Sequence, residues 1–214
     1  AVDTGAPGKT EEFPRFTSFW LEPKGEDALV IYALLDSPSV AGAYRIYSER
    51  RPGGIVQEIE ADLHARTPIE RLGIAPLTSM YWYGENSRFL ALDWRPEIHD
   101  SDGIVTGTGE RIWRPINNPP RVMVNAFADV DPKGFGLMQR DRDFDNYQDD
   151  GVFYDKRASL WVEPMGRWGE GAVELVELPT DDEIHDNIVA FWTPRAPVRP
   201  GQAMNMRYRL HWLA

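Results

Sequence analysis

Gly134-Phe135-Gly136-Leu137-Met138-Gln139-Arg140-Asp141-Arg142-Asp143-Phe144-Asp145-Asn146-Tyr147-Gln148-Asp149-Asp150 is where chemistry concentrates in this chain. Its glycines and apolar residues read as a buried strand, after which acids, bases and aromatics alternate. An extended backbone would place Asp141, Asp143 and Asp145 on one face and Arg140 and Arg142 on the other. Like charges on one face repel, so they require solvent, a cation, a substrate or arginines from a neighbouring strand. A carboxyl beside other carboxylates gains proton affinity, which a general acid working near neutral pH needs. A solvated, salt-bridged loop is the competing reading, because charge runs are commonly surface.

A second polar concentration is Arg95-Pro96-Glu97-Ile98-His99-Asp100-Ser101-Asp102-Gly103. It lacks the further His or Cys ligands of a zinc site and the loop length of a calcium hand, so no metal is expected. Asp100 or Asp102 then either accepts backbone amides in a turn or belongs to a substrate-contacting loop. Trp113 and Arg114 offer a stacking face and a fixed cation, and Tyr81-Trp82-Tyr83 puts aromatics ahead of Glu85 and Asn86. Such runs stack on sugars or on one another.

The totals narrow the partners. Lys plus Arg is 23 and Asp plus Glu is 34, a net charge of −11, with no basic cluster. A nucleic acid or an anionic membrane is thereby disfavoured, and 8 Trp, 8 Tyr and 9 Phe suit a neutral carbohydrate better. No cysteine is present, which excludes disulfides, a thiolate nucleophile and Cys-ligated zinc. No apolar run approaches the ~18–20 residues of a membrane span, no signal peptide opens the chain, and no cofactor is implied.

These side chains must be positioned by strands. Glu11 to Pro23 and Ala28 to Asp36 read as an antiparallel pair that leaves Asp36 at the mouth of the sheet. Val40 to Ser48 and Ile55 to Ala65 follow, with Glu58, Glu60, Asp62 and His64 on one face. Arg121 to Val130, Ala172 to Leu178, Asn187 to Thr193 and Gln202 to Trp212 are further strands, and Thr67 to Gly73 is the one short piece with helical caps. Residues 1–10 read as a flexible lead-in. Gly166-Arg167-Trp168-Gly169-Glu170-Gly171 is a glycine-rich break, the best candidate for a domain boundary. The chain is all-β, and the strands after the break are too few to close a sandwich, so a second unit is expected to be incomplete at Ala214.

Several strings together resemble the periplasmic glucan biosynthesis proteins G and D, the MdoG/OpgG and OpgD family. They are Glu11 to Phe16, Tyr32 to Ser39, Leu72 to Met80, His99 to Gly103, Trp113 to Pro119, Gly134 to Asp149 and Asp186 to Trp192. The resemblance implies the C-terminal part of a large, galactose-mutarotase-like β-sandwich over residues 1–168, followed at 169–214 by the first strands of an immunoglobulin-like β-sandwich. It also implies a periplasmic protein of osmoregulated glucan synthesis that hydrolyses β-1,2-glucan with inversion, or one that binds and scaffolds glucan without turnover. A second copy of the chain and other envelope glucan-synthesis proteins are the partners it suggests.

Within that family the general acid is an aspartate of Gln139 to Phe144, which leaves Asp143 and Asp141 as equal candidates. Inversion needs a second carboxylate about 6.5–9.5 Å away to activate water. Asp102 and Asp100 come first for that role, with Asp36 and Glu58 behind. Sugar contacts are expected of Arg114, Trp113, Tyr83 and Tyr147, with Arg140 and Asp36 beside them.

Overall fold

The computed structural model describes residues 1–8, 10–91 and 93–214. Its first strands are β1 (Val2–Asp3), β2 (Arg15–Pro23), β3 (Ala28–Asp36), β4 (Val40–Arg51) and β5 (Gly54–Ala65). Strands β2 to β5 form a meander, and two of its turns need glycine: Gly25 has φ +80° and Gly53 φ +86°. The chain continues through β6 (Arg71–Leu72), β7 (Ile74–Ser79), β8 (Tyr81–Tyr83), a 3₁₀ turn over Glu85–Leu90, β9 (Ile98–His99), β10 (Gly103–Thr106) and β11 (Ile112–Pro115). Then come β12 (Met123–Val130), β13 (Phe135–Met138), the single-turn helix α1 (Phe144–Tyr147), a 3₁₀ turn over Tyr154–Lys156, β14 (Ser159–Pro164), β15 (Glu170–Glu177), β16 (Ile188–Pro194) and β17 (Ala203–Leu213).

Two sheets face each other. The larger has the order β11-β10-β13-β14-β17-β5-β4-β3-β2 and the smaller β12-β15-β16-β7, all antiparallel. Period-two alternation supplies the core between them. Ile188, Ala190 and Trp192 of β16, with Val173 and Leu175 of β15, are wholly buried against Ile104, Phe135, Leu137, Val162 and Ile59 of the larger sheet. Each large side chain so buried contributes roughly 1.5–3 kcal/mol. The cross-strand row Tyr208, Ile59, Ile46, Ile31, Leu21 begins in this core and ends in solvent, where Leu21 is 61% exposed.

Three expectations need correction. The residues after Gly169 do not begin a separate immunoglobulin-like unit: β15 pairs with β12, β16 with β7, and β17 lies between β14 and β5. Gly166 and Gly169, at φ +86° and +77°, make a turn, and Trp168 packs in the core beside Trp192 and Tyr208. Glycine marks a change of direction, and only long-range pairing tells a turn from a boundary. The lead-in is also structured, because Val2 is 1% exposed and β1 pairs with β6; Lys9 lies outside the described residues. Finally, Thr67 to Gly73 is no helical turn, since Arg71 and Leu72 are taken into β6.

Candidate functional site

A cavity of about 410 Å³ opens where β10, β11 and β13 end and the β8–β9 pair crosses above them. Tyr81, Glu85, Asn86, Glu97, His99, Asp102, Trp113, Arg140 and Asp141 contribute to its lining. The chain holds these residues in place with buried polar contacts. Asn187 accepts the Tyr81 N–H at 2.8 Å and donates to the carbonyls of Tyr81 and Leu178, which pins β8 to the smaller sheet. The Asp102 N–H donates to Met138 O at 2.9 Å and the Asp100 N–H to Met80 O at 2.8 Å, so the His99 to Gly103 turn is fixed to both β13 and β8.

Strand β13 stops at Met138, and the acidic run is not extended, which overturns the expected alternation of faces. Asp143 is exposed and caps α1, its Oδ1 accepting the Asp145 N–H at 3.0 Å. Asp145 is exposed in the first turn of that helix. Asp141 alone of these three acids lines the cavity. Its Oδ1 accepts the Asp143 N–H at 2.9 Å and its Oδ2 the Asn146 amide at 2.7 Å, so the carboxyl is held in one orientation. Aspartates followed by a helical turn favour such local bonds over a ladder, which is why a pattern of period two failed here.

Of the two readings for Asp102, the structure shows the acceptor of backbone amides. Its Oδ2 accepts the backbone N–H groups of Arg140 and Asp141 at 3.2 and 3.3 Å, and it lines the cavity. Its Oδ1 is buried without a hydrogen-bond donor. Trp113 lies on the face of Gly103, where an added Cβ would come within 2.3 Å of the indole, and the Arg140 guanidinium stands 5.1 Å from its ring centroid. One wall is therefore aromatic and cationic and the opposite one acidic.

The acidic wall is Glu85, Glu97 and Asp141, whose carboxylate oxygens lie within 4.8 Å of one another. Carboxylates that close repel unless a donor or a proton comes between them. Glu97 is buried and its Oε2 is 2.9 Å from His99 Nε2; His99 Nδ1 is 3.0 Å from Gln139 Oε1. His99 stacks on Tyr81 at 5.3 Å and meets the edge of Tyr147 at 5.2 Å. Burial above all pushes the Tyr81 and Tyr147 hydroxyls up, so both stay protonated as donors. They donate to Asn86 Oδ1 at 2.7 Å and to Asp141 O at 3.2 Å.

The remaining sequence candidates lie elsewhere. Asp100 pairs with Arg157 at 2.8 Å in a different groove beside Trp212, and burial raises its carboxyl. Asp36 pairs with Arg66 at the end of β3, and Glu58 with Arg207 and Arg209 on the outer face of the larger sheet. Arg114 is a structural group, because it forks onto the wholly buried Glu177 at 2.6 and 2.7 Å. Tyr83 and Tyr147 are wholly buried in a satellite core with Met80, Ile98 and Tyr154. Arg95, half-buried among Asp93, Asp149 and Glu183, ties the flanking loops together. Glu97, Glu85 and Gln139 had no sequence assignment; the Glu97-x-His99 spacing was the one local signal for Glu97.

Comparison with known proteins follows the same lines. A family model described as periplasmic glucan biosynthesis protein, MdoG, matches residues 1–214. The chain is 59% identical over 219 residues to glucans biosynthesis protein D 2 of Ralstonia nicotianae, covering 100% of this chain and 40% of that protein. It is 58% identical over 216 residues to glucans biosynthesis protein D of Stenotrophomonas maltophilia, covering 99% and 40%. The chain thus spans about 40% of the length of the curated relatives it matches. Among solved structures, the galactosidase domain of the α-galactosidase–sucrose kinase AgaSK superposes with a TM-score of 0.50 at 8% identity, covering 94% of this chain and 28% of that one. At that identity the likeness is one of β-sandwich fold.

Proposed function

Because the chain belongs to the periplasmic glucan biosynthesis protein family, we propose that it serves glucan synthesis in the periplasm by hydrolysing the β-1,2-glucan backbone with inversion. The observation that carries this is the placement of Asp141, the one member of the acidic run on the cavity, between an aromatic wall and other carboxyls. In this reading Asp141 protonates the leaving glycosidic oxygen. Glu85 and Glu97 stand too close to Asp141 to leave the room that inversion reserves for water. Asp102, the remaining carboxylate on the cavity, is the base that accepts the proton of the attacking water. Trp113 and Arg140 hold the sugar ring by stacking and hydrogen bonding.

A second reading is a glucan-binding protein without turnover. The two donors already on the Asp141 carboxylate favour it, since they fix an acceptor for sugar hydroxyls. Release of reducing ends from linear β-1,2-glucan by full-length protein separates the two. Hydrolysis abolished in Asp141→Asn and retained in Asp143→Asn is the result expected of the enzyme. No hydrolysis by the parent, with binding detected by Trp fluorescence, establishes the binding protein.

A further inference from the structure

We propose that Glu97 and His99 hold one proton between them and act as a single acid–base dyad in the cavity. The proton count follows from hydrogen-bond geometry. Gln139 Nε2 meets two carbonyl oxygens, His99 O at 3.2 Å and Tyr154 O at 3.0 Å, so that atom is the amide nitrogen and its Oε1 is an acceptor. His99 Nδ1, 3.0 Å from that oxygen, therefore carries a hydrogen. His99 Nε2 is then either the second N–H of an imidazolium or a bare lone pair. It faces Glu97 Oε2 at 2.9 Å with both residues buried, at 1% and 6% exposure. A bare nitrogen opposite a carboxylate would set two lone pairs against each other where water cannot intervene. One proton must lie on that axis, as imidazolium with carboxylate or as imidazole with carboxylic acid, and the pair is electrically neutral in either form.

This neutrality has a consequence for the carboxyls around it. Glu97 sits with Glu85 and Asp141 in one cluster, and the other titratable groups about the dyad are Tyr81, Tyr147, Asp100 and Asp102, with Arg140 across the cavity. The dyad's proton removes one negative charge from that cluster. His99 is thus a positioning residue: it orients Glu97 and sets the charge that Asp141 feels. The proton count stands on geometry alone, whereas its kinetic effect rests on the hydrolytic reading.

The test joins spectroscopy to kinetics. In ¹⁵N-His, ¹³C-Glu full-length protein at pH 7, His99 is assigned by the signal lost in His99→Gln. The expected spectrum has Nδ1 protonated, together with a proton on either His99 Nε2 or the Glu97 carboxyl; Glu97→Gln leaves the neutral Nδ1–H tautomer. Nε2 bare with Glu97 ionised, or Nδ1 bare, overturns the proposal. In kinetics, His99→Gln restores a full negative charge beside Asp141 and moves the alkaline limb of the hydrolysis profile up by roughly one pH unit. Glu97→Gln, neutral like the dyad it replaces, leaves that limb in place whatever its rate. A limb unmoved in His99→Gln overturns the dyad's influence on Asp141. A parent with no hydrolysis and the expected spectrum retains the dyad and removes the hydrolytic reading.

Discussion

Replacing Arg114 by methionine separates a structural arginine from a sugar-binding one. Glu177 is 0% exposed and accepts four donors: Arg114 Nη1 and Nη2 at 2.6 and 2.7 Å, the Asn117 N–H at 2.8 Å and the Asn125 amide at 3.3 Å. The substitution removes the two charge-assisted bonds and the compensating charge, and leaves a buried carboxylate with two neutral donors. Hydrogen bonds to charged groups contribute about 1.5–3 kcal/mol each, and breaking a buried pair from one side costs about 3–5 kcal/mol. Since the Arg114 side chain is only 21% exposed, little of that is lost to solvent screening. Urea unfolding at pH 7 should therefore show Arg114→Met less stable by about 3–5 kcal/mol, a large share of the ~5–15 kcal/mol typical of a domain. Adding Glu177→Leu should recover much of the loss, because it removes the stranded charge. A loss under about 1 kcal/mol, the range of surface ion pairs, or weaker glucan binding at unchanged stability, would refute the assignment.

Other outcomes follow from the same contacts. Asp149, with its side chain 6% exposed, is held low by the amides of Val152 and Gly151 and by Arg95, although burial opposes them. Its stabilisation is therefore full above the ordinary carboxylate range and disappears as pH falls through the lowered value. Asp149→Asn should cost about 2–4 kcal/mol at pH 7, the gap to the parent closing in acid; a gap independent of pH contradicts this. Gly103→Ala would drive a Cβ into the Trp113 indole and should tilt that wall, costing about 1–3 kcal/mol. Unchanged Trp fluorescence and glucan binding would speak against Trp113 as the wall. Asp143→Ala should lose at most about 1 kcal/mol, the worth of one N-cap, with hydrolysis intact; abolished hydrolysis would transfer the acid role from Asp141 to Asp143.

Short-range signals fixed much of this protein in advance. Alternating apolar residues bounded by Gly and Pro identified β2 to β5, β12 and β15 to β17, since strand period and turn chemistry are local properties. The acidic run and the His99 to Gly103 turn were legible as polar concentrations that a core would reject. Tertiary structure decided which of those polar groups share a cavity. Asp141 and Asp143 are indistinguishable in sequence, and they separate because the chain leaves β13 at Met138 and turns into α1, which spends Asp143 on a cap. Arg114, Tyr83 and Tyr147 read as sugar contacts by type, yet Arg114 is held by Glu177 far along the chain and the two tyrosines are buried in the satellite core. Glu97 and His99 became a dyad once Gln139, 40 residues away, fixed the histidine's tautomer. Residue type sets what a side chain can do; burial and the donors and acceptors of distant strands set what it is left free to do.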